Sequence, residues 1–142
     1  PFSLSAEIVR KFTETNRPPK AIYLITQRQF ARKLVPGDDH FTSQLSAQIG
    51  PSFTARIRKP LRKTDFTPPP AVDTVLLELK QRVEPLLPMD ELPAYRKFIE
   101  RCFSEQKFFA ATSRAKAGIS PERIPSQLTL EDWLALYRIQ GV

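Results

Sequence analysis

The sequence is poor in the residues that build metal, redox and nucleotide sites. It holds one cysteine, Cys102, and one histidine, His40. A lone cysteine excludes an intramolecular disulfide and fits a reducing compartment. One cysteine with one histidine cannot supply the ligands of any usual zinc site, so no metal is expected. The only four glycines, Gly37, Gly50, Gly118 and Gly141, are too scattered to form a P-loop or a G-x-G-x-x-G turn. There is no G-x-S-x-G either. No apolar run approaches the roughly 18 residues of a membrane-spanning helix. The opening, Pro1-Phe2-Ser3-Leu4, lacks the basic and apolar regions of a secretory leader. A soluble, cytoplasmic, monomeric protein with no membrane partner is expected. The absence of Met at position 1 reads as a piece of a longer chain.

Acidic charge is also in deficit. Lys and Arg number 22 against 15 Asp and Glu, a net charge of +7. Basic surface gains free energy by releasing counterions from phosphates, so a polyanion is a natural partner. The charge is clustered. Arg56, Arg58, Lys59, Arg62 and Lys63 fall in a stretch, Phe53–Lys63, that contains no acid. Arg28, Arg32 and Lys33 form a second group. Phe66 follows the first cluster at once, and an aromatic beside basic groups suits single-stranded or flipped RNA. The competing reading of each cluster is a solvated basic face.

What is abundant is a patterned apolar framework, 41% of residues. Ser5 stands as an N-cap ahead of Ile8, Val9 and Phe12 on one helical face, and Pro18-Pro19 stops that helix. Ala21–Thr26 reads as a buried strand and Gln27–Leu34 as a helix ended by Pro36-Gly37. Helix, strand, helix suggests half of a doubly wound α/β sheet. From Phe41 the alternation of Leu45, Ala47 and Ile49 with Gln44, Ser46 and Gln48 predicts a strand. Further strands are expected from Phe53 and over Val72–Leu79, giving a β meander. After a proline-punctuated linker at 83–89 the chain reads all-α. Tyr95, Phe98, Ile99, Cys102 and Phe103 share a helix face. Phe108–Lys116 predicts a second helix capped by Gly118. Thr129 caps a last helix with Leu128 and Trp133 as its staple, and Gly141 closes it. The expected organisation is residues 1–82 as an α/β domain and 83–142 as linker and helical domain. Cys102, Trp133 and Tyr137 are expected in the core, and His40 in an exposed loop.

One run is more specific. Phe66-Thr67-Pro68-Pro69-Pro70-Ala71-Val72-Asp73-Thr74 is a proline-stiffened, extended loop leading into a strand. Read alone, it is a rigid connection with Phe66 as packing and Asp73 fixing the loop. It also resembles the F-x-P-x-P-x-V-D-[ST] pattern of the Erm and KsgA families of ribosomal RNA adenine N6-methyltransferases. Three other segments are similar in order and spacing. Pro1-Phe2-Ser3-Leu4-Ser5 resembles the end of the family's N-[IL]-P-[FY] motif, with the Asn expected just upstream. Leu24–Leu34 resembles its strand-to-helix segment. Leu128–Tyr137, with Trp133-Leu134-Ala135-Leu136-Tyr137, resembles the Erm ending. The resemblance spans essentially the whole chain and favours Erm. Asp38 and Asp39 depart from the basic loop the family carries there.

The resemblance implies the C-terminal half of a class I (Rossmann-like) methyltransferase sheet followed by a small all-α domain. It implies S-adenosylmethionine as the full-length parent's cofactor and ribosomal RNA as partner, 23S rRNA in the Erm case. The glycine-rich turn and the ribose-binding acid that hold this cofactor are not in the sequence, so this chain is expected not to transfer methyl groups alone. Pro1, Phe2 and Phe66 are the implied catalytic residues: Phe2 stacks on the flipped adenine and Phe66 closes the pocket. Acceptors on the exocyclic amine help N6 pyramidalise, so no strong base is needed. The implied RNA contacts are Arg28, Arg32, Lys33, Arg56, Arg58, Lys59, Arg62 and Lys63. An Erm-like parent would confer resistance to macrolides, lincosamides and streptogramin B. A KsgA-like one would dimethylate small-subunit rRNA in ribosome maturation. A non-catalytic RNA-binding relative, like those acting as mitochondrial transcription factors, is the reading from another class.

Overall fold

A computed structural model describes residues 4–37 and 41–140. The expectations for Pro1, Phe2, Asp38, Asp39, His40 and Gly141 lie outside the described residues. The fold is mixed α/β, a small open sheet flanked by helices, with a separate helical part. Two compact units form. Residues 4–36 with 53–83 make the sheet unit; 37, 41–52 and 84–140 make the helical unit.

The sheet unit contains α1 (Ser5–Thr13), β1 (Ala21–Gln27), α2 (Arg28–Leu34), β2 (Phe53–Leu61) and β3 (Thr74–Gln81). The strand order is β1-β3-β2, with β3 antiparallel to both neighbours. The expected meander is therefore corrected: β3 inserts between β1 and β2 instead of following β2 to an edge. Val75, Leu77 and Leu79 of β3 lie on one buried face, as period-two alternation requires. Buried Val9, Ala31 and Leu34 come from the two helices. Ser5 does not cap α1. It lies inside the helix, buried, and its hydroxyl meets the Thr26 hydroxyl at 2.7 Å. A tertiary hydrogen bond has won over the local cap. Strand β1 is found where expected, but it is not buried on both faces. Tyr23 and Ile25 are 59% and 46% exposed, because among the described residues α1 and α2 serve only the opposite face.

The helical unit contains α3 (Gln44–Ile49), α4 (Leu92–Ser104), α5 (Gln106–Ala110) and α6 (Leu130–Gln140). Here the sequence reading fails at 44–49: the predicted strand is a helix. Ser43 caps it, its hydroxyl accepting from the Ser46 N–H at 3.1 Å. Leu45, Ala47, Gln48 and Ile49 are all buried. With Gln48 buried as well, the alternation that suggested a strand carried no information about faces. Its amide donates to the Arg96 carbonyl at 2.9 Å, which satisfies it there. The helix must stop before Pro51, which has no N–H for the Ala47 carbonyl. The buried Tyr95 hydroxyl donates to that carbonyl instead, at 2.7 Å.

Tyr95, Phe98, Ile99 and Cys102 form the buried face of α4 as expected. Burial pushes the Cys102 thiol up to about 12, so it is inert at neutral pH. Trp133 is fully buried, stacked on Phe103 at 5.5 Å, and Tyr137 meets Tyr95 edge to face at 5.3 Å. Thr129 and Asp132 form a reciprocal capping box at the start of α6, with 3.0 and 3.1 Å bonds. The predicted helix over Phe108–Lys116 is shorter. It ends at Ala110, where the Thr112 hydroxyl bonds the Phe109 carbonyl at 2.6 Å and diverts the backbone. A 3-10 turn at Ala115–Ala117 follows, and Gly118 caps it with φ 76°.

Tyr95→Phe isolates the hydroxyl's part. It leaves the ring contacts and strands the Ala47 carbonyl, so it should cost about 1–3 kcal/mol. Urea unfolding followed by circular dichroism measures it; a midpoint equal to wild type would remove this bond from the account of α3.

Candidate nucleic-acid interface

Pairing with β3 brings three chain segments to one end of the sheet. Thr74 opens β3 and lies opposite Gln27 on one side and Leu61 on the other. The chain leaves the sheet after Leu61, runs through Arg62, Lys63 and Phe66, and returns at Thr74. Arg28 closes the end from β1: its N–H donates to the Asp73 carbonyl at 2.9 Å, and its guanidinium lies 3.6 Å from the Asp73 carboxylate. Asp73 thus ties the proline loop to the neighbouring strand.

Within the loop, Lys63–Asp65 is one 3-10 turn. The Asp65 carboxylate accepts from the Arg62 N–H at 2.9 Å and pairs with the Arg62 guanidinium at 3.2 Å. The backbone bond from Arg62, then its side-chain bond and charge, and the charge of Lys59, outweigh partial desolvation and hold Asp65 below the usual carboxylate range. Phe66 ends the turn, its N–H donating to the Lys63 carbonyl at 3.3 Å, and its ring is half-buried. The Thr67-Pro68 peptide that follows is cis.

The basic strand is less free than its sequence suggests. Arg56 and Arg58 do reach the same side of the sheet, with a bulge between Ile57 and Lys59. Both end on one carboxylate, Glu78 of β3, at 3.0 and 3.5 Å. Glu78 is 5% exposed and also takes a hydrogen bond from Tyr23, directly opposite on β1. Desolvation pushes its carboxyl up, but the Tyr23 bond and the charges of Arg56, Arg58 and Lys80 prevail, and the net shift is downward. Lys59 and Lys63 are exposed and make no ion pair among the described residues. Arg32 and Lys33 stand exposed in the last turn of α2. Sequence reading missed Glu78 and Tyr23. The available signal was a single acid inside the apolar run Val75–Leu79, which a strand tolerates only when partners neutralise it.

Of the site residues expected from sequence, the loop and sheet end carry Arg28, Arg62, Lys63 and Phe66, with Lys59 two pairs further along. Arg56 and Arg58 sit deeper on the sheet face. Pro1 and Phe2 lie outside the described residues. No three His, Cys, Asp or Glu side chains group as metal ligands among the described residues. Gly50 ends α3 with Leu130 where its Cβ would be, and Gly118 is a turn cap. Among the described residues no helix is long and apolar enough to cross a membrane.

The Glu78 cluster has a pH signature. A carboxylate whose folded pKa lies below its unfolded value stabilises the fold above the unfolded pKa and loses that contribution as pH falls through the folded one. Wild type should therefore lose more stability on acidification through and below the ordinary glutamate range than Glu78→Gln does. Urea midpoints of both proteins across that range test this; parallel curves would show that Glu78 is not depressed.

Residues 1–112 match the family model described as ribosomal RNA adenine dimethylase. The ribosomal RNA small subunit methyltransferase A of Staphylococcus epidermidis is 25% identical over 158 residues, covering 96% of this chain and 53% of that protein. An rRNA adenine N-6-methyltransferase of Saccharopolyspora erythraea is 32% identical over 104 residues, 73% of this chain and 27% of that protein. The crystal structure of the 23S rRNA methyltransferase ErmE superposes with a TM-score of 0.77 at 25% identity, covering all of this chain and 63% of that one. The chain thus spans about half the length of the Staphylococcus protein, and less of the Saccharopolyspora one. The fold is that of the class I methyltransferase-like Erm/KsgA group, and the match does not separate the two subtypes. The chain belongs to the ribosomal RNA adenine dimethylase family.

Proposed function

We infer that the protein carrying this chain transfers a methyl group from S-adenosylmethionine to N6 of an adenine in ribosomal RNA, and that this chain holds the RNA and the target base. The observation that carries the reading is the sheet end itself. A half-buried aromatic, Phe66, rides on a proline-stiffened loop that leaves the sheet through Arg62 and Lys63 and returns to it at Asp73, which Arg28 holds. A ring held near cations suits an unstacked base with its phosphates. Phe66 stacks against the base from one side and Phe2 from the other, with Pro1 beside it. Arg28, Arg32, Lys33, Arg56, Arg58, Lys59, Arg62 and Lys63 meet the RNA backbone. Residues 1–82 act as part of the catalytic domain and 83–142 as linker and RNA-binding helical domain. The protein works as a cytoplasmic monomer.

The favoured target is 23S rRNA, with macrolide, lincosamide and streptogramin B resistance as the consequence. The Erm-like ending at Trp133–Tyr137 supports it, as does the likeness to ErmE. A small-subunit rRNA target is the second reading, supported by the Staphylococcus match over 96% of the chain.

Two measurements test this. In the complete protein, primer extension on 23S and small-subunit rRNA should reveal a methylated adenine in one of them, and Phe66→Ala should lower the rate about tenfold or more, since base–aromatic stacking contributes roughly 1–3 kcal/mol. An unchanged rate, or loss only together with thermal stability, would make Phe66 a packing residue. The charges are read separately. Lys59→Ala with Lys63→Ala should flatten the slope of log affinity against log salt for a ribosomal RNA hairpin by about 1.4, from about 0.7 per phosphate contact. Arg56→Ala should change the slope less, because Glu78 already neutralises part of that charge. Identical slopes for the lysine pair and wild type would remove this edge from the interface.

A further inference from the structure

The two acids nearest Phe66 stand on an edge that is otherwise basic. From Phe53 to Thr74 the chain carries five Lys and Arg, and its only Asp or Glu are Asp65 and Asp73. A carboxylate on a surface that meets phosphates weakens binding by like-charge repulsion. Each of the two is paired with an arginine: Asp65 with Arg62 at 3.2 Å, Asp73 with Arg28 at 3.6 Å. Both pairs are exposed, so neither contributes much stability. What they share is position, one at each end of the Phe66 loop. Asp65 also accepts from the Arg62 N–H at 2.9 Å, closing the turn that ends on Phe66. Asp73 is joined to Arg28 a second time, its carbonyl accepting from the Arg28 N–H at 2.9 Å. Between these two anchors the backbone has little else to hold it. Pro68, Pro69 and Pro70 have no N–H to donate, and among the described residues 67–72 make no backbone hydrogen bond.

We propose that Asp65 and Asp73 are positioning residues for methyl transfer: they fix the two ends of the loop, and so the place where the Phe66 ring meets the target base. The prolines carry that constraint along the loop, since each locks one backbone angle. Arg28 turns one terminal nitrogen to Asp73 and keeps further N–H groups for a phosphate, so one guanidinium ties the loop to the sheet and to the RNA. The two effects of these acids oppose each other. Losing either one removes a repulsion and favours RNA binding, while it frees the loop and misplaces the ring. This assignment rests on the adenine methylation reading above and adds the residues that place its aromatic.

The test uses the complete protein as wild type, Asp65→Ala, Asp65→Asn and Asp73→Asn. Three quantities are read side by side: affinity for the rRNA that wild type methylates, single-turnover methylation at saturating RNA, and hydrogen exchange over residues 62–74. Asp65→Ala and Asp73→Asn should exchange faster in that segment, with thermal midpoints near wild type. They should bind RNA as tightly as wild type or up to about threefold more tightly, the size of one exposed charge interaction. Their methylation should be roughly tenfold slower, within what a small misplacement of a reacting group costs. Asp65→Asn keeps an oxygen for the Arg62 N–H and should retain most of the rate. Unchanged exchange in the loop overturns the assignment, and so does faster exchange with an unchanged rate; both leave the methylation reading intact. A rate loss that follows a loss of RNA affinity or of thermal stability also overturns it. A wild-type protein that methylates neither rRNA defeats the methylation reading and this assignment with it.

Discussion

Strand β3 has neighbours hydrogen-bonded along both of its edges, and the sheet unit depends on that double pairing. It aligns Gln27, Thr74 and Leu61 at one end. It also sets Glu78 between Tyr23 and Arg56 at the middle of the exposed face. A one-residue slip of β3 would move Val75, Leu77 and Leu79 to the solvent side and bury Glu78 among apolar groups. The hydrophobic pattern of one strand thus specifies both the core and the placement of every polar group above it. The loop between Leu61 and Thr74 gains its position from the same source, since its two ends are neighbours across one strand pair.

Electrostatics on this surface is decided by pairing more than by net charge. The stretch 53–63 has five positive charges and no acid, yet three of its arginines have carboxylate partners from elsewhere. Of these pairs, the exposed Arg62–Asp65 contributes little stability and is screened by salt, whereas the two on Glu78 meet a nearly buried carboxylate. Their consequence is geometric: they hold Arg56, Arg58 and Arg62 in place and leave Lys59 and Lys63 as the groups most open to a phosphate.

The helical unit is organised around aromatic packing. Trp133, Tyr95 and Tyr137 are buried against Phe98, Phe103 and Phe109, with ring centroids 5.3 to 6.5 Å apart. Tyr95 serves twice, as ring and as donor. Its hydroxyl stands in for the N–H that Pro51 cannot offer, so α3 can end abruptly with no orphaned carbonyl at Ala47. Arg101 and Arg114 lie over the rings of Phe108 and Phe109 at 3.9 and 4.9 Å, covering apolar edges with cationic stems.

Local chemistry made much of this legible in the sequence. The α4 core face, the Thr129 cap with its staple, the Gly118 cap, the strands from Ala21 and Phe53, and the proline loop all follow from spacing, capping and backbone restriction within a few residues. The four segments resembling the Erm/KsgA group led to the family by the same route. Tertiary structure decided what depends on partners distant in sequence. Segment 44–49 became a helix because Tyr95 and Arg96 supply the groups that satisfy its buried polar atoms. Ser5 left its cap for Thr26, and β3 entered the middle of the sheet. Glu78 took two arginines that the sequence presented as free. A sequence states which groups must find hydrogen bonds or counter-charges; only the folded chain determines which of the distant candidates comes within 3 or 4 Å.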